Sequence, residues 1–184
     1  NQGQCGSCWA FATVAAIESA QCIANGKAVL TKYSEQQLTS CDTSNMGCDG
    51  GVPQFAFQYI QKNGICTAES APYTSYLTPI TVNASAIKKT EAALIGALQK
   101  APAVVGITGG SPPFKQYTSG VLSACESTAE LDHVALVVGY DVTSLKIKNS
   151  WGPRWGERGY IRLQRGTFGT GTCKVYYQSV AFSS

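Results

Sequence analysis

The sequence predicts an α+β chain of two lobes, on three observations. The first half carries apolar residues at helical spacing between capping and stop signals. The second half carries short apolar or alternating runs broken by Gly and Pro, and the texture changes near Pro102. With 184 residues, 44% hydrophobic and 14% charged, the chain is long and apolar enough to bury a sizeable core. The division is placed between a helix-rich lobe of residues 1–85 and a strand-rich lobe of residues 86–184.

The elements follow in order. Residues 7–24 contain Ala, Phe, Val, Ile and Glu at helical spacing with no Pro or Gly, with Ser7 as N-cap and Asn25–Gly26 as stop. Residues 34–40 predict a second helix, opened by a capping box of Ser34 and Gln37. A third covers residues 52–62 and ends at Asn63–Gly64; a fourth, amphipathic, covers residues 86–99. Residues 103–108, 134–140, 145–149 and 160–165 read as strands. There is no internal repeat and no low-complexity tract.

Composition excludes several classes. A net charge of +3 without a Lys/Arg cluster gives no nucleic-acid footprint. The longest apolar runs are far too short to span a bilayer. Eight cysteines beside one histidine, with a single CxxC at Cys5–Gly6–Ser7–Cys8, support neither a four-ligand zinc site nor any other cofactor. Disulfides in an oxidising compartment are the simpler reading. Asn83–Ala84–Ser85 is an acceptor tripeptide for N-glycosylation and leans the same way.

Four segments carry chemistry. A cysteine opening a helix, as Cys8 does, feels the positive end of the dipole and unpaired N–H groups, which favour a thiolate and can hold an oxyanion. Position alone leaves Cys8 equally open to being a half-cystine or a buried thiol. His133, in Leu131–Asp132–His133–Val134, sits at the mouth of an apolar strand, where a lone histidine is more often structural. It is also the only imidazole available if Cys8 needs a base. In Asn149–Ser150–Trp151–Gly152, an Asn oxygen can accept from an imidazole N–H and an indole can exclude water, or the segment is a turn with a core tryptophan. In Gly47–Cys48–Asp49–Gly50–Gly51–Val52–Pro53, paired glycines suit main-chain pairing with an extended peptide, or an ordinary tight turn.

Together these segments resemble the papain-like cysteine peptidases, the family that includes the cathepsins. The family signature is Cys-Gly-Ser/Ala-Cys-Trp/Tyr with His and Asn about 130–150 residues downstream. Cys5–Gly6–Ser7–Cys8–Trp9, His133 and Asn149 follow that order, and Gln2, the Gly50–Gly51 pair and Tyr73 match as well. The resemblance implies a papain-like fold with a helical left domain, a β-barrel-like right domain and the active-site cleft between them. It implies Cys8 as nucleophile, His133 as its ion-pair partner and acid, Asn149 as the orienting residue, and Gln2 as oxyanion donor. It implies a peptide held along Gly6, Gly50, Gly51 and Asp132, with Trp151 shielding the His133–Asn149 contact. Second-subsite walls would come from Val52, Pro53, Gly106, Leu131 and Val134, with Gln178 near the floor and an apolar preference.

The resemblance also implies disulfides Cys5–Cys48 and Cys125–Cys173. Cys41 lacks its usual partner just after Tyr73; Cys66 is favoured in that place, with Cys22 free. Implied partners are polypeptide substrates and propeptide or cystatin-like inhibitors, for a monomer of lysosomal/vacuolar or secreted location. Family members carry a short mature segment ahead of the residues matching Asn1 and Gln2, so this sequence reads as an excerpt of a longer precursor. A disulfide oxidoreductase would need a βαβ context ahead of Cys5 and would leave His133 without a role. A catalytically dead relative would have replaced Cys8, His133, Asn149 or Gln2. A thiol acyltransferase would share the mechanism.

Overall fold

A computed structural model of the chain describes residues 1–26, 29–70, 84–126 and 128–182. The helix α1 (Cys8–Ala24) opens the structure, followed by α2 (Glu35–Cys41) and α3 (Pro53–Asn63). After β1 (Ala84–Ala86) and α4 (Glu91–Leu98) come β2 (Ala103–Ile107), the short α5 (Pro112–Lys115), β3 (Val121–Leu122), β4 (His133–Tyr140), β5 (Ser144–Lys148), β6 (Tyr160–Gln164) and β7 (Gln178–Phe182). The strands form one sheet in the order β1-β7-β2-β4-β5-β6-β3, antiparallel except for the β3–β6 pair.

The sheet has a covered face on each side, which explains why every residue of β2 is buried. Val104 and Leu136 join the core built from α1, α2 and α3; Val105, Ala135 and Val137 point the other way, into a second core with Phe114, Leu145, Ile147, Ile161 and Tyr176. Helix α1 is therefore enclosed by α2 and α3 on one side and by β2 and β4 on the other. Nine of its residues between Trp9 and Glu18 are buried, the pattern of a core helix. Glu18 is buried among them because its carboxylate accepts from the Tyr33 N–H at 3.0 Å and from Lys32 at 2.9 Å.

Three local expectations change. The Ser34 hydroxyl caps α2 by accepting from the Gln37 N–H, but the Gln37 side chain does not complete a capping box. It is spent on tertiary contacts, accepting from Cys66 N and donating to Gly64 O. The Ser7 side chain makes no capping bond to α1; its carbonyl takes the first helical N–H groups instead. The fourth helix starts five residues later than predicted. The Thr90 hydroxyl caps it at the Ala93 N–H, and residues 84–86 are drawn into pairing with β7. The strands at β1, β3 and β7 were not predicted. Asn83 and Tyr73 lie outside the described residues.

Candidate active site

Two covalent and steric constraints fix the start of α1. The Cys5–Cys48 disulfide ties the incoming segment to the loop before α3, and the Gly6 N–H donates to Cys48 O at 2.8 Å. A Cβ on Gly6 would stand 2.4 Å from that carbonyl, so only glycine fits. Trp9 anchors the other side: its indole N–H donates to Gly47 O at 3.0 Å, and its ring lies 2.6 Å from where a Gly51 Cβ would be. Cys8 is thus held as the first residue of α1, a free and partly buried thiol.

His133 and Asn149 meet because β4 and β5 are antiparallel neighbours, which brings the first residue of β4 and the residue after β5 to the same end of the sheet. His133 Nε2 lies 2.7 Å from Asn149 Oδ1. The Ser150 N–H donates to the same Oδ1 at 2.8 Å. That atom is an acceptor twice over, so the imidazole carries its proton on Nε2 and keeps Nδ1 as the nitrogen able to accept one. Both side chains are buried. The Trp151 ring lies 4.9 Å from the imidazole and Phe114 meets it edge-on at 6.1 Å, so aromatic rings keep water from the contact. The side-chain N–H groups of Asn149 are buried with no partner among the described residues.

Cys8 and His133 line one cleft of about 800 Å³. Gln2, Gly6, Gly50, Gly51, Val52 and Pro53 line it on the helical side. Gly106, Leu131, Asp132, Val134, Trp151 and Gln178 line it on the sheet side. Asn149 stands behind His133 and lines a smaller cavity with Ser150 and Lys148. Gln2 is anchored by its backbone N–H to Ser150 O at 3.0 Å, while its side chain accepts from the Ser150 hydroxyl and donates to Cys5 O at 2.8 Å. One of its two amide N–H groups remains.

Burial shifts both Cys8 and His133 toward their neutral forms. It pushes the Cys8 thiol up, against the backbone N–H groups of Val134, Trp9 and Cys8 itself, which pull it down; the Asp132 charge pushes it up further. Burial pushes the His133 imidazole below its ordinary value, against the Asn149 bond and the Asp132 charge. The helix start does favour the thiolate as the sequence suggested, but burial outweighs it.

Cys5–Cys48 and Cys125–Cys173 are both formed. Cys41 and Cys66, favoured above as a third pair, are thiols, as is Cys22. Several lining residues were not singled out in the sequence. Val104 and Val180 deepen the cleft below Gly106 and Gln178; each is two residues along the same strand, and strand alternation could have placed them. Gly109 and Gly110 pack directly on His133 and Asp132, where a Cβ would stand 2.5 Å from His133 Cβ or 2.0 Å from an Asp132 oxygen. Their doubled glycine carries the same signal as Gly50–Gly51.

A family model described as "Papain family cysteine protease" matches residues 1–182. The chain is 42% identical to Vignain of Ricinus communis over 185 residues, covering 90% of this chain and 51% of that protein. Among solved structures, the Carica candamarcensis cysteine protease CMS1MS2 in complex with E-64 superposes with a TM-score of 0.90 at 34% identity, covering 100% of this chain and 91% of that one. The ragweed pollen protease Amb a 11 in its proform gives a TM-score of 0.87 at 38% identity, covering 99% and 60%. The chain spans about half the length of the curated relatives it matches.

Proposed function

This chain belongs to the papain family of cysteine proteases, and we propose that it is a cysteine endopeptidase in which Cys8 attacks the scissile carbonyl. His133 Nδ1 takes the thiol proton to give the thiolate–imidazolium ion pair, and the thiolate forms the carbon–sulfur bond. The protonated imidazole gives that proton to the leaving amine, and water then hydrolyses the thioester. Asn149 holds the imidazole in the tautomer this transfer needs, and Trp151 shields the bond. The remaining Gln2 amide N–H and the Cys8 backbone N–H serve as oxyanion donors.

The observation that carries this reading is the pairing of His133 with Asn149 on the wall of the cleft that Cys8 also lines. Gly51, pressed onto Trp9, offers its backbone to the substrate residue two before the cut. The apolar lining from Val52, Pro53, Leu131 and Val134, deepened by Val104 and Val180, supports an apolar preference for that residue, with Gln178 supplying no countercharge. The lobe division at residues 85 and 86, the monomeric state, inhibition by a propeptide or cystatin-like protein, and a lysosomal/vacuolar or secreted location belong to the same proposal. The two disulfides support the oxidising compartment.

The test is labelling with an epoxysuccinyl thiol-peptidase inhibitor and mapping of the modified residue by mass spectrometry. Label at Cys8 that is lost in His133→Ala is the expected result. Absence of label at Cys8 in folded protein overturns the reading.

A further inference from the structure

We propose that Lys115 selects substrates with an acidic residue just after the scissile bond, an inference that rests on the endopeptidase reading above. Lys115 is the sole lysine or arginine among the described residues lining the cleft. Its side chain is exposed, and among the described residues it takes part in no ion pair.

The backbone of Lys115 is fixed from both sides, so its place relative to His133 is set by the fold. Upstream, Gly109 and Gly110 lie flat on His133 and Asp132, and the Gly110 N–H donates to Asp132 Oδ1 at 3.0 Å. The Ser111 hydroxyl then accepts from the Glu126 N–H at 3.1 Å. Phe114, fully buried, packs against His133, Trp151 and Trp155. The Lys115 carbonyl accepts from the Trp155 indole N–H at 3.1 Å.

Polarity of the cleft decides which half of the peptide Lys115 meets. His133 hands its proton to the leaving amine, so the departing chain begins at His133 and runs over the Trp151 and α5 side. The acyl half runs over Gly50–Gly51, Leu131 and Gln178, away from Lys115. Two carboxylates also line the cleft. Asp132 has one oxygen engaged by the Gly110 N–H, and Asp49 sits beside Cys48 and Gly50 on the opposite wall. The Lys115 ammonium, on a flexible four-carbon stem and without a fixed partner, is the cation a substrate carboxylate on the departing side would reach.

The test uses internally quenched peptides with one apolar residue for the second subsite. They differ only in Glu, Ala or Lys at the first and second positions after the cut. For the purified protein, kcat/KM should favour the Glu peptides over the Lys peptides by about 2- to 5-fold, the range of an exposed ion pair. The ratio should fall between about 20 mM and 500 mM salt, as screening of exposed charges requires. Lys115→Arg should keep the ratio and Lys115→Glu should invert it. If the protein labels at Cys8 and cleaves the peptides with a Glu-to-Lys ratio at or below one, or if Lys115→Glu keeps the wild-type ratio, this inference is overturned and the endopeptidase reading stands. If nothing is cleaved and Cys8 is not labelled, the endopeptidase reading is overturned and the inference with it.

Discussion

The side-chain oxygen of Asn149 accepts two hydrogen bonds, from His133 Nε2 at 2.7 Å and from the Ser150 N–H at 2.8 Å. The second bond fixes which end of the amide faces the imidazole, and the first then fixes the tautomer. Replacing Asn149 with Ala removes both constraints while leaving Cys8 in place. The expected result is a fall in kcat/KM of about 10²-fold or more, from a proton shuttle that is no longer held in register. Cys8 should still label with the epoxysuccinyl probe, at a reduced rate. Activity within about 2-fold of wild type would show that the ring needs no such partner.

Glycine at position 109 is a packing requirement, whereas glycine at position 96 is not. An added Cβ at Gly109 would stand 2.5 Å from His133 Cβ, and at Gly96, exposed in α4, it would meet nothing within 4 Å. Gly109→Ala should therefore cost about 1–3 kcal/mol in urea denaturation and lower peptidase activity as His133 is pushed from its place. Gly96→Ala should stabilise by about 0.5–1 kcal/mol through helix propensity. The two substitutions are chemically identical, so equal effects would count against the packing account.

Glu157 ties three segments together, accepting from Arg162 and from the Gly120 N–H. Its carboxyl is held down from 4.5 to about 2, with the Arg162 bonds the largest cause. Between these two values the unfolded chain binds more protons than the native one, so stability falls as pH drops through that window. Wild type should exceed Glu157→Gln by about 1 kcal/mol at pH 7. The difference between their urea midpoints should close as pH falls from about 4.5 toward 2. A difference that stays constant over that range would mean that the carboxylate charge contributes nothing.

Two disulfides and four thiols account for all eight cysteines. Thiol titration of the unreduced protein in denaturant should therefore count four groups, Cys8, Cys22, Cys41 and Cys66. A count of two, with a peptide linking Cys41 to Cys66, would mean that the pair favoured from the sequence forms after all.

How much of this was legible in advance depends on the range of the interaction concerned. The stops at Asn25–Gly26 and Gly64 and the Ser34 cap are local signals, and the structure contains them where the sequence placed them. The start of the fourth helix was misread because residues 84–86 could continue a helix locally, yet β7, nearly a hundred residues later, pairs with them. Ser34, three residues before Gln37, predicts a reciprocal cap. The Gln37 side chain turns instead to the buried Gly64 carbonyl and the partly buried Cys66 N–H, which need partners.

By itself the sequence determined the helix-then-strand order and the α+β class through local periodicity, while the roles expected of Cys8, His133 and Asn149 came from the family motifs those residues resemble. The tertiary structure alone decided that Cys41 and Cys66 remain unbonded thiols, that Gln2 is locked to Ser150 across nearly the whole chain, and that burial opposes the helix terminus at Cys8. It also decided that Gly109, Gly110 and Lys115 form a wall of the cleft. These outcomes depend on how two cores close around one sheet, and dense packing sets such contacts between residues whose separation in sequence leaves no periodic trace.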